Sequence, residues 1–450
     1  MKENLTNTAH QLPVIAKILK SVVKRDYYLR KKETEYQYLF KMVRDVFNKS
    51  LPDKVKMTKH NPPNNKIAVE CYEFTPEGYY SPNLSQKERR EKYPTCFFFH
   101  GGGFMYCAPH QAYKCFLGTW ARKLNVRIFA PNYRKSPEFK SPACYEDCFN
   151  WTTHILENAG AGDYNVDLNN FSIMGDSAGA MITLSVLVKL FEQKKHNFRP
   201  KLVVPICAST FGAYFDLPSH HSIECNNSMP VERAAEFCLN LQVGMDFNHG
   251  IAELPETETT MTQEQIELVK GGLIKGHALN FFNRSADTDP DNNEVDPDCF
   301  DIEKYLSKES NDFLKQKTKR TEILSDKEMR EYYGDKIYTN FKKVCREGIV
   351  FHSCAFMVDR KTLKEFVNFY NDSKTKFFFI AAEYDLLRDE SLIFANRMLD
   401  LNANVTVNLA KSMGHDFPFF STVLGGFVPL VDETVLEMMD DIRAELERSN

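Results

Sequence analysis

The sequence predicts an α/β fold: a mostly parallel central sheet with helices on both faces. Three observations predict it. Short, fully apolar runs such as Thr95–Phe99 (TCFFF), Val126–Ala130 and Leu202–Ile206 have the composition of strands buried on both sides. Runs of helical period, such as Ala143–Asn158 and Ala178–Phe191, fall between them. Strands alternating with helices pack best as a parallel sheet with helical layers above and below.

The elements follow in order. Leu12 to Phe47 carries helical periodicity. Ile15, Ile18, Leu19, Val22 and Val23 share one face, and Lys17, Lys20, Lys24 and Arg25 ring it. It reads either as a helix packed on its own domain or as a basic amphipathic helix making peripheral contact with a lipid surface. Ile67–Phe74 (IAVECYEF) reads as a strand closed by Pro76 and Gly78, and the polar run Ser81–Lys92 reads as a loop. Phe171–Met174, Phe377–Ala381 and Val405–Leu409 complete the strands. From about Gly250 to Cys345 the alternation stops. Between Asp287 and Asp301 the acidic residues Asp287, Asp289, Asp291, Glu294, Asp296, Asp298 and Asp301 stand without a basic one, broken by Pro290 and Pro297. The acidic spacing resembles a calcium loop, but Asn292 stands where that loop needs glycine, so a solvated acidic insertion is the reading. The resulting division is an N-terminal helical cap segment (1–65), a first core segment (66–245), the insertion (246–345) and a second core segment (346–450).

Composition excludes several classes. At 450 residues and a net charge of −4, the chain has no electrostatic footprint for nucleic acid. No apolar stretch is long enough to span a bilayer. The start, MKENLTNTAH, lacks the apolar region of a secretory signal, so a cytoplasmic location is expected. The twelve cysteines show no C-x-x-C pair or zinc-type spacing and read as buried or free thiols.

Chemistry concentrates in four places. Gly175-Asp176-Ser177-Ala178-Gly179 lies between an apolar strand and an apolar helix, where a tight turn would thrust a serine hydroxyl above the sheet. The Ala178 N–H, at the helix start, would be free to bind an oxyanion. His100-Gly101-Gly102-Gly103 directly follows a buried strand, and the N–H groups of Gly102 and Gly103 can converge on the same oxygen. His100 reads as a residue that shapes this loop. Asp385 follows the strand FFFIAAEY, and His415 follows VTVNLA. Both would stand at the carboxyl ends of strands, where open α/β sheets build their sites. The order of serine, acid and histidine after a glycine-rich loop assigns Ser177 as nucleophile, His415 as base and Asp385 as its orienting acid. Asp416 beside the base would push its titration toward the upper end of about 6 to 7.5. Such a triad needs neither metal nor organic cofactor.

The segments HGGGF, NYRKSPE (Asn132–Glu138), GDSAG, AEYDLLRDES and GHDF resemble the hormone-sensitive-lipase-like branch of the α/β hydrolases, which includes arylacetamide deacetylases and carboxylesterases. The resemblance covers about 67–238 and 353–450. It implies the α/β-hydrolase fold with a helical cap, and serine ester hydrolysis of small to medium apolar acyl esters. It also implies structural roles for NYRKSPE and RDES. In that family N-terminal helices and the region after the nucleophile strand cover the acyl site; the matching stretches here are about Leu12–Phe47 and Ala208–Leu241. Two other readings stand beside this one. One is amide or lipid-ester hydrolysis by the same triad. The other is a ligand receptor on the same fold, which in the resembling gibberellin receptors lacks the histidine. Here His415 is present.

Overall fold

The computed structural model describes residues 50–136, 142–160, 164–210, 360–424 and 429–447, with isolated positions between. The expected N-terminal helix, the acidic insertion and most of the expected cap after the nucleophile strand fall outside the described residues.

Eight strands form one sheet: β1 (Val55–His60), β2 (Cys71–Pro76), β3 (Thr95–Phe99), β4 (Arg127–Pro131), β5 (Phe171–Asp176), β6 (Leu202–Ile206), β7 (Lys376–Tyr384) and β8 (Val405–Gly414). Their spatial order is β1-β2-β4-β3-β5-β6-β7-β8. β1 and β2 pair antiparallel, as do β2 and β4, and every other pairing is parallel. The helices are α1 (Gln86–Lys92), α2 (Lys114–Leu124), α3 (Ala143–Glu157), α4 (Ala178–Glu192), α5 (Arg360–Asn371), α6 (Arg388–Asp400), α7 (Phe417–Leu424) and α8 (Pro429–Glu447).

Two-residue periodicity divides the core. Phe97 and Phe99 of β3, Phe129 of β4, Ile173 of β5 and Phe377 and Phe379 of β7 join one apolar cluster, with α3, α4, α5 and α6. Cys96, Phe98, Ile128, Met174, Phe378 and Ile380, their sequence neighbours, join the other, with Val204 of β6, α2 and α8. Phe97, Phe98 and Phe99 are all fully buried, so consecutive phenylalanines fill both layers. Burying each is worth about 1.5–3 kcal/mol. This explains the unbroken apolar runs in the sequence: a central parallel strand has no wet face.

Some expectations need correction. Ser81–Lys92 is not a loop throughout, because Gln86–Lys92 forms α1. Ser85 Oγ accepts the Glu88 N–H at 3.2 Å and Glu88 Oε2 accepts the Ser85 N–H at 2.7 Å, a reciprocal cap. The helix buries no residue, so it has no apolar stripe to read, and its sequence signatures are the cap and a basic last turn. The sheet also begins earlier than expected, with β1 inside the segment assigned to the cap. This edge strand has no buried residue, only a mixture of partly buried and exposed ones. β2 starts at Cys71 rather than Ile67. Glu73 accepts from Arg127 Nε at 2.6 Å and pairs with His60 Nε2 at 2.7 Å, which ties β1, β2 and β4 together.

Candidate active site

The site forms at the carboxyl ends of β5, β6, β7 and β8. β5 ends at Asp176, and α4 starts at Ala178. Between them Ser177 turns the chain at φ 52°, ψ −120°, a conformation that non-glycine residues rarely adopt. Packing enforces the strain. A Cβ on Gly179 would stand 1.9 Å from Phe99 O, and one on Gly175 would stand 2.4 Å from Gly179 O. Only glycines let strand, turn and helix approach this closely. The Ser177 N–H donates to Ile206 O at 2.8 Å and fixes the turn to β6.

β7 carries its last residue, Tyr384, to the rim, so Asp385 is the first residue beyond it and is fully buried. β8 runs to Gly414 through an irregularity after Ala410, and His415 follows. The Ser412 N–H, within that irregularity, donates to Glu383 Oε2 at 2.7 Å and ties the histidine turn to the end of β7. Residues 177, 385 and 415 then meet in one line. His415 Nε2 is 2.8 Å from Ser177 Oγ, and His415 Nδ1 is 2.8 Å from Asp385 Oδ1. Asp385 Oδ1 also accepts the Leu387 N–H at 3.0 Å, which fixes the carboxylate plane.

Charge around the imidazole is unbalanced. Burial disfavours the imidazolium, but the carboxylates of Asp385 and Asp416, with the Asp385 hydrogen bond, outweigh it and push the His415 pKa up to about 9. That lies above the 6 to 7.5 expected from sequence, because the ring is enclosed between two carboxylates. Burial, opposed by His415 and aided by Asp385, raises Asp416 to about 6.

The glycine loop follows β3. Gly102 and Gly103 both have positive φ, 108° and 59°. A Cβ on Gly102 would meet Tyr106 O at 2.8 Å. His100 lies beneath the loop, fully buried, with Nδ1 2.7 Å from Gly101 O and its ring stacked on Tyr133 at 4.3 Å. Burial and then the positive charge of Lys135 drive its pKa well down, so it is a neutral, loop-shaping ring.

Several supporting residues went unnoticed in the sequence. Asp176 accepts the Gly101 N–H at 2.9 Å through Oδ1, and the Tyr113 hydroxyl donates to its Oδ2. The residue before the serine therefore holds the glycine loop. Burial, then the nearby charge of Asp416, raises the Asp176 pKa well above the usual carboxylate range. No local pattern joins residues 75 positions apart. NYRKSPE works the same way: Tyr133 stacks on His100, Arg134 grips Asp147 at 2.8 Å, and the Ser136 N–H donates to Phe104 O at 3.0 Å. In RDES, Arg388 Nε pairs with Asp389 Oδ1 at 2.8 Å. Asp389 Oδ2 accepts the Ser219 N–H at 2.7 Å, and Glu390 Oε2 accepts the Thr210 N–H at 2.7 Å. The motif thus anchors the stretch that leaves β6.

Residues 96–261 match the family described as the alpha/beta hydrolase fold. Vegetative-specific protein H5 of Dictyostelium discoideum is 27% identical over 183 residues, which cover 40% of this chain and 51% of that protein. Tuliposide B-converting enzyme 1 of Tulipa gesneriana is 34% identical over 96 residues, 20% of this chain and 22% of that one. The matched part thus spans about half of the first relative's length and less of the second's. Among solved structures, carboxyl esterase 2 of Tuber melanosporum superposes with a TM-score of 0.52 at 16% identity, covering 90% of this chain and 91% of that one. A thermostable esterase from Pseudomonas putida gives 0.54 at 12% identity, covering 92% and 90%. At such identities the likeness speaks for the fold alone. The matched family segment, the eight-stranded sheet and the strained serine between β5 and α4 agree: the chain has the α/β-hydrolase fold, and its residues 96–261 match the family of that description.

Proposed function

We propose that the protein is a serine carboxylic-ester hydrolase that works through an acyl-enzyme. The observation that carries this reading is the unbroken relay Ser177 Oγ–His415 Nε2 and His415 Nδ1–Asp385 Oδ1, each contact 2.8 Å. In this reading neutral His415 takes the hydroxyl proton as Ser177 Oγ attacks the ester carbonyl. Asp385 holds the ring in the tautomer with its proton on Nδ1 and stabilises the imidazolium that forms. The N–H groups of Gly102, Gly103 and Ala178 receive the oxyanion. His415 then gives its proton to the departing alcohol, and water, activated by the same ring, releases the acid. None of these steps calls for a metal or organic cofactor.

The substrate in this reading is an ester of a small to medium apolar acid. Two solved structures of the same fold carry the name esterase, which is in keeping with ester chemistry here. Among the described residues no helix is long and apolar enough to cross a membrane. A receptor reading would fit a chain without the histidine; here His415 is in hydrogen-bond reach of both partners. A fluorophosphonate probe tests the proposal. The expected result is one adduct on Ser177, absent from Ser177→Ala, with loss of p-nitrophenyl acetate hydrolysis. Folded protein that takes no adduct and turns over no ester would overturn it.

A further inference from the structure

Beside the relay lies a side chain that ester hydrolysis does not use. Cys207 directly follows β6 and is fully buried, at φ 48°, with its N–H donating to Ile380 O at 2.8 Å. Its Sγ, one Asp385 carboxylate oxygen and one His415 ring nitrogen all lie within 4.8 Å of one another. Asp385 Oδ1 already serves His415 and Leu387. Asp385 Oδ2 is buried and has no hydrogen-bond partner among the described residues. Asp385, whose Oδ2 is unfilled, thus belongs to the same small cluster as a thiol and an imidazole.

Thiolate, imidazole and carboxylate are the donors that zinc takes. They bind at about 2.3 Å for sulfur and about 2.0–2.2 Å for nitrogen and oxygen, which puts tetrahedral donors on the order of 3.5 Å apart. Contracting this cluster to that spacing needs shifts of about an ångström. We propose that Cys207, Asp385 and His415 form an inhibitory site for a thiophilic divalent cation, Zn²⁺ or Cd²⁺.

The proton balance explains the inhibition. The cation takes the Cys207 sulfur as thiolate, and the thiol proton goes to solvent. It takes His415 at Nδ1, the edge that faces Asp385; the Nδ1 proton of an imidazolium goes to solvent, and that of a neutral ring moves to Nε2. The proton left on the ring is then on Nε2, facing Ser177. A ring protonated at Nε2 cannot accept the serine proton, so the nucleophile stays unactivated. Exchange of protons for the cation also limits the net charge brought into a buried cluster. His415 is the outer wall of the cluster: its side chain is 8% exposed, whereas Cys207 and Asp385 are 0% exposed. The ring must swing to admit the ion, so binding is slow.

The inhibition rests on the hydrolase reading, but the binding does not, and the test separates them. Chelator-stripped Ser177→Ala protein is titrated with Cd²⁺ and followed by the ultraviolet thiolate-to-cadmium charge-transfer band. The expected result is a band that saturates at one equivalent, develops slowly and is lost in both Cys207→Ser and Cys207→Ala on that background. In protein with Ser177 intact, Zn²⁺ should lower p-nitrophenyl acetate hydrolysis at least tenfold over minutes, and EDTA should restore it. The ratio of rates with and without Zn²⁺ should return to near one in each Cys207 variant, whatever its basal rate. No band, a band unchanged in both folded variants, or equal Zn²⁺ sensitivity with and without Cys207 would overturn the site. No ester turnover by the metal-free, folded protein with Ser177 intact, alongside a band that behaves as expected, would overturn the hydrolase reading and leave the site standing.

Discussion

Asp416 Oδ2 stands 3.3 Å from His415 Nε2, the same ring nitrogen that meets Ser177 Oγ at 2.8 Å. A second carboxylate therefore competes for the edge of the imidazole that must accept the serine proton. Asp416 is held in the turn at φ 54° and is 9% exposed, so water screens it poorly.

In the proposed mechanism catalysis needs the neutral ring, and His415 is pushed up to about 9, so kcat/KM should rise with pH and level only above about 9. Asp416, at about 6, is ionised across most of that range. Asp416→Asn removes one of the two carboxylate charges and should move the limb down toward the ordinary 6.5, with Asp385 still holding it above that value. Each unit of movement raises the neutral fraction at pH 7 about tenfold. A kcat/KM profile from pH 5 to 10 in EDTA-containing buffer checks this; an unmoved limb would show that Asp416 does not set the base. The same shift has a stability counterpart. The folded state holds this proton more tightly than the unfolded chain, so its contribution is full below about 6.5 and is lost as pH rises through about 9.

Gly179 and Gly160 give opposite expectations for one substitution. Gly179→Ala drives a methyl to 1.9 Å from a β3 backbone carbonyl, which cannot move without breaking the elbow. Overpacking of this kind costs about 1–3 kcal/mol where side chains yield, and backbone yields less. Gly160→Ala meets nothing within 4 Å among the described residues and should be neutral or stabilising by about 0.4–1 kcal/mol. Urea midpoints of the two variants decide. Equal midpoints would mean that the strand–helix approach is looser than the geometry states.

Ser177→Ala removes the attacking oxygen and keeps the backbone. Ester turnover should fall by on the order of 10³ or more. The lost hydrogen bond to His415 costs about 1 kcal/mol, so the melting temperature should move by only a few degrees. Rate and thermal melt together check this. A variant that melted normally and kept its rate would refute the nucleophile.

These contrasts show what one sequence can reveal. Ser177, Asp385 and His415 were legible because each stands at a strand end, and the elbow's glycines are fixed by a local clash. The apolar runs of β3 and β7 betrayed buried strands for the same local reason. The Asp176–Gly101 bond, the Tyr133–His100 stack and the Cys207 cluster were not legible, because each joins strands distant in the chain. α1 was missed although Ser85 and Glu88 spell a cap, since hydrophobic period is silent for a helix that buries nothing. β1 was missed because an edge strand with mixed exposure has no apolar run.

Acyl preference is the remaining expectation. In the resembling family the acyl site is covered by stretches that correspond to about Leu12–Phe47 and Ala208–Leu241. Tyr27, Tyr28, Phe40, Phe211, Tyr214, Phe215 and Phe237 give those stretches the composition of an apolar enclosure. RDES ties two points of the second stretch to α6, since Asp389 and Glu390 accept the N–H groups of Ser219 and Thr210. Each buried CH₂ adds about 0.8 kcal/mol, so kcat/KM for p-nitrophenyl esters should climb from acetate until the enclosure is full and then fall. The maximum is expected at a short to medium chain, with palmitate poor and lipid vesicles without effect. The basic face of Lys17, Lys20, Lys24 and Arg25 makes the contrary case, a helix that docks on lipid and delivers long chains. A series from acetate to palmitate, with and without anionic vesicles, separates the two. A maximum at palmitate that strengthens on vesicles would replace the carboxylesterase reading with that of a lipase.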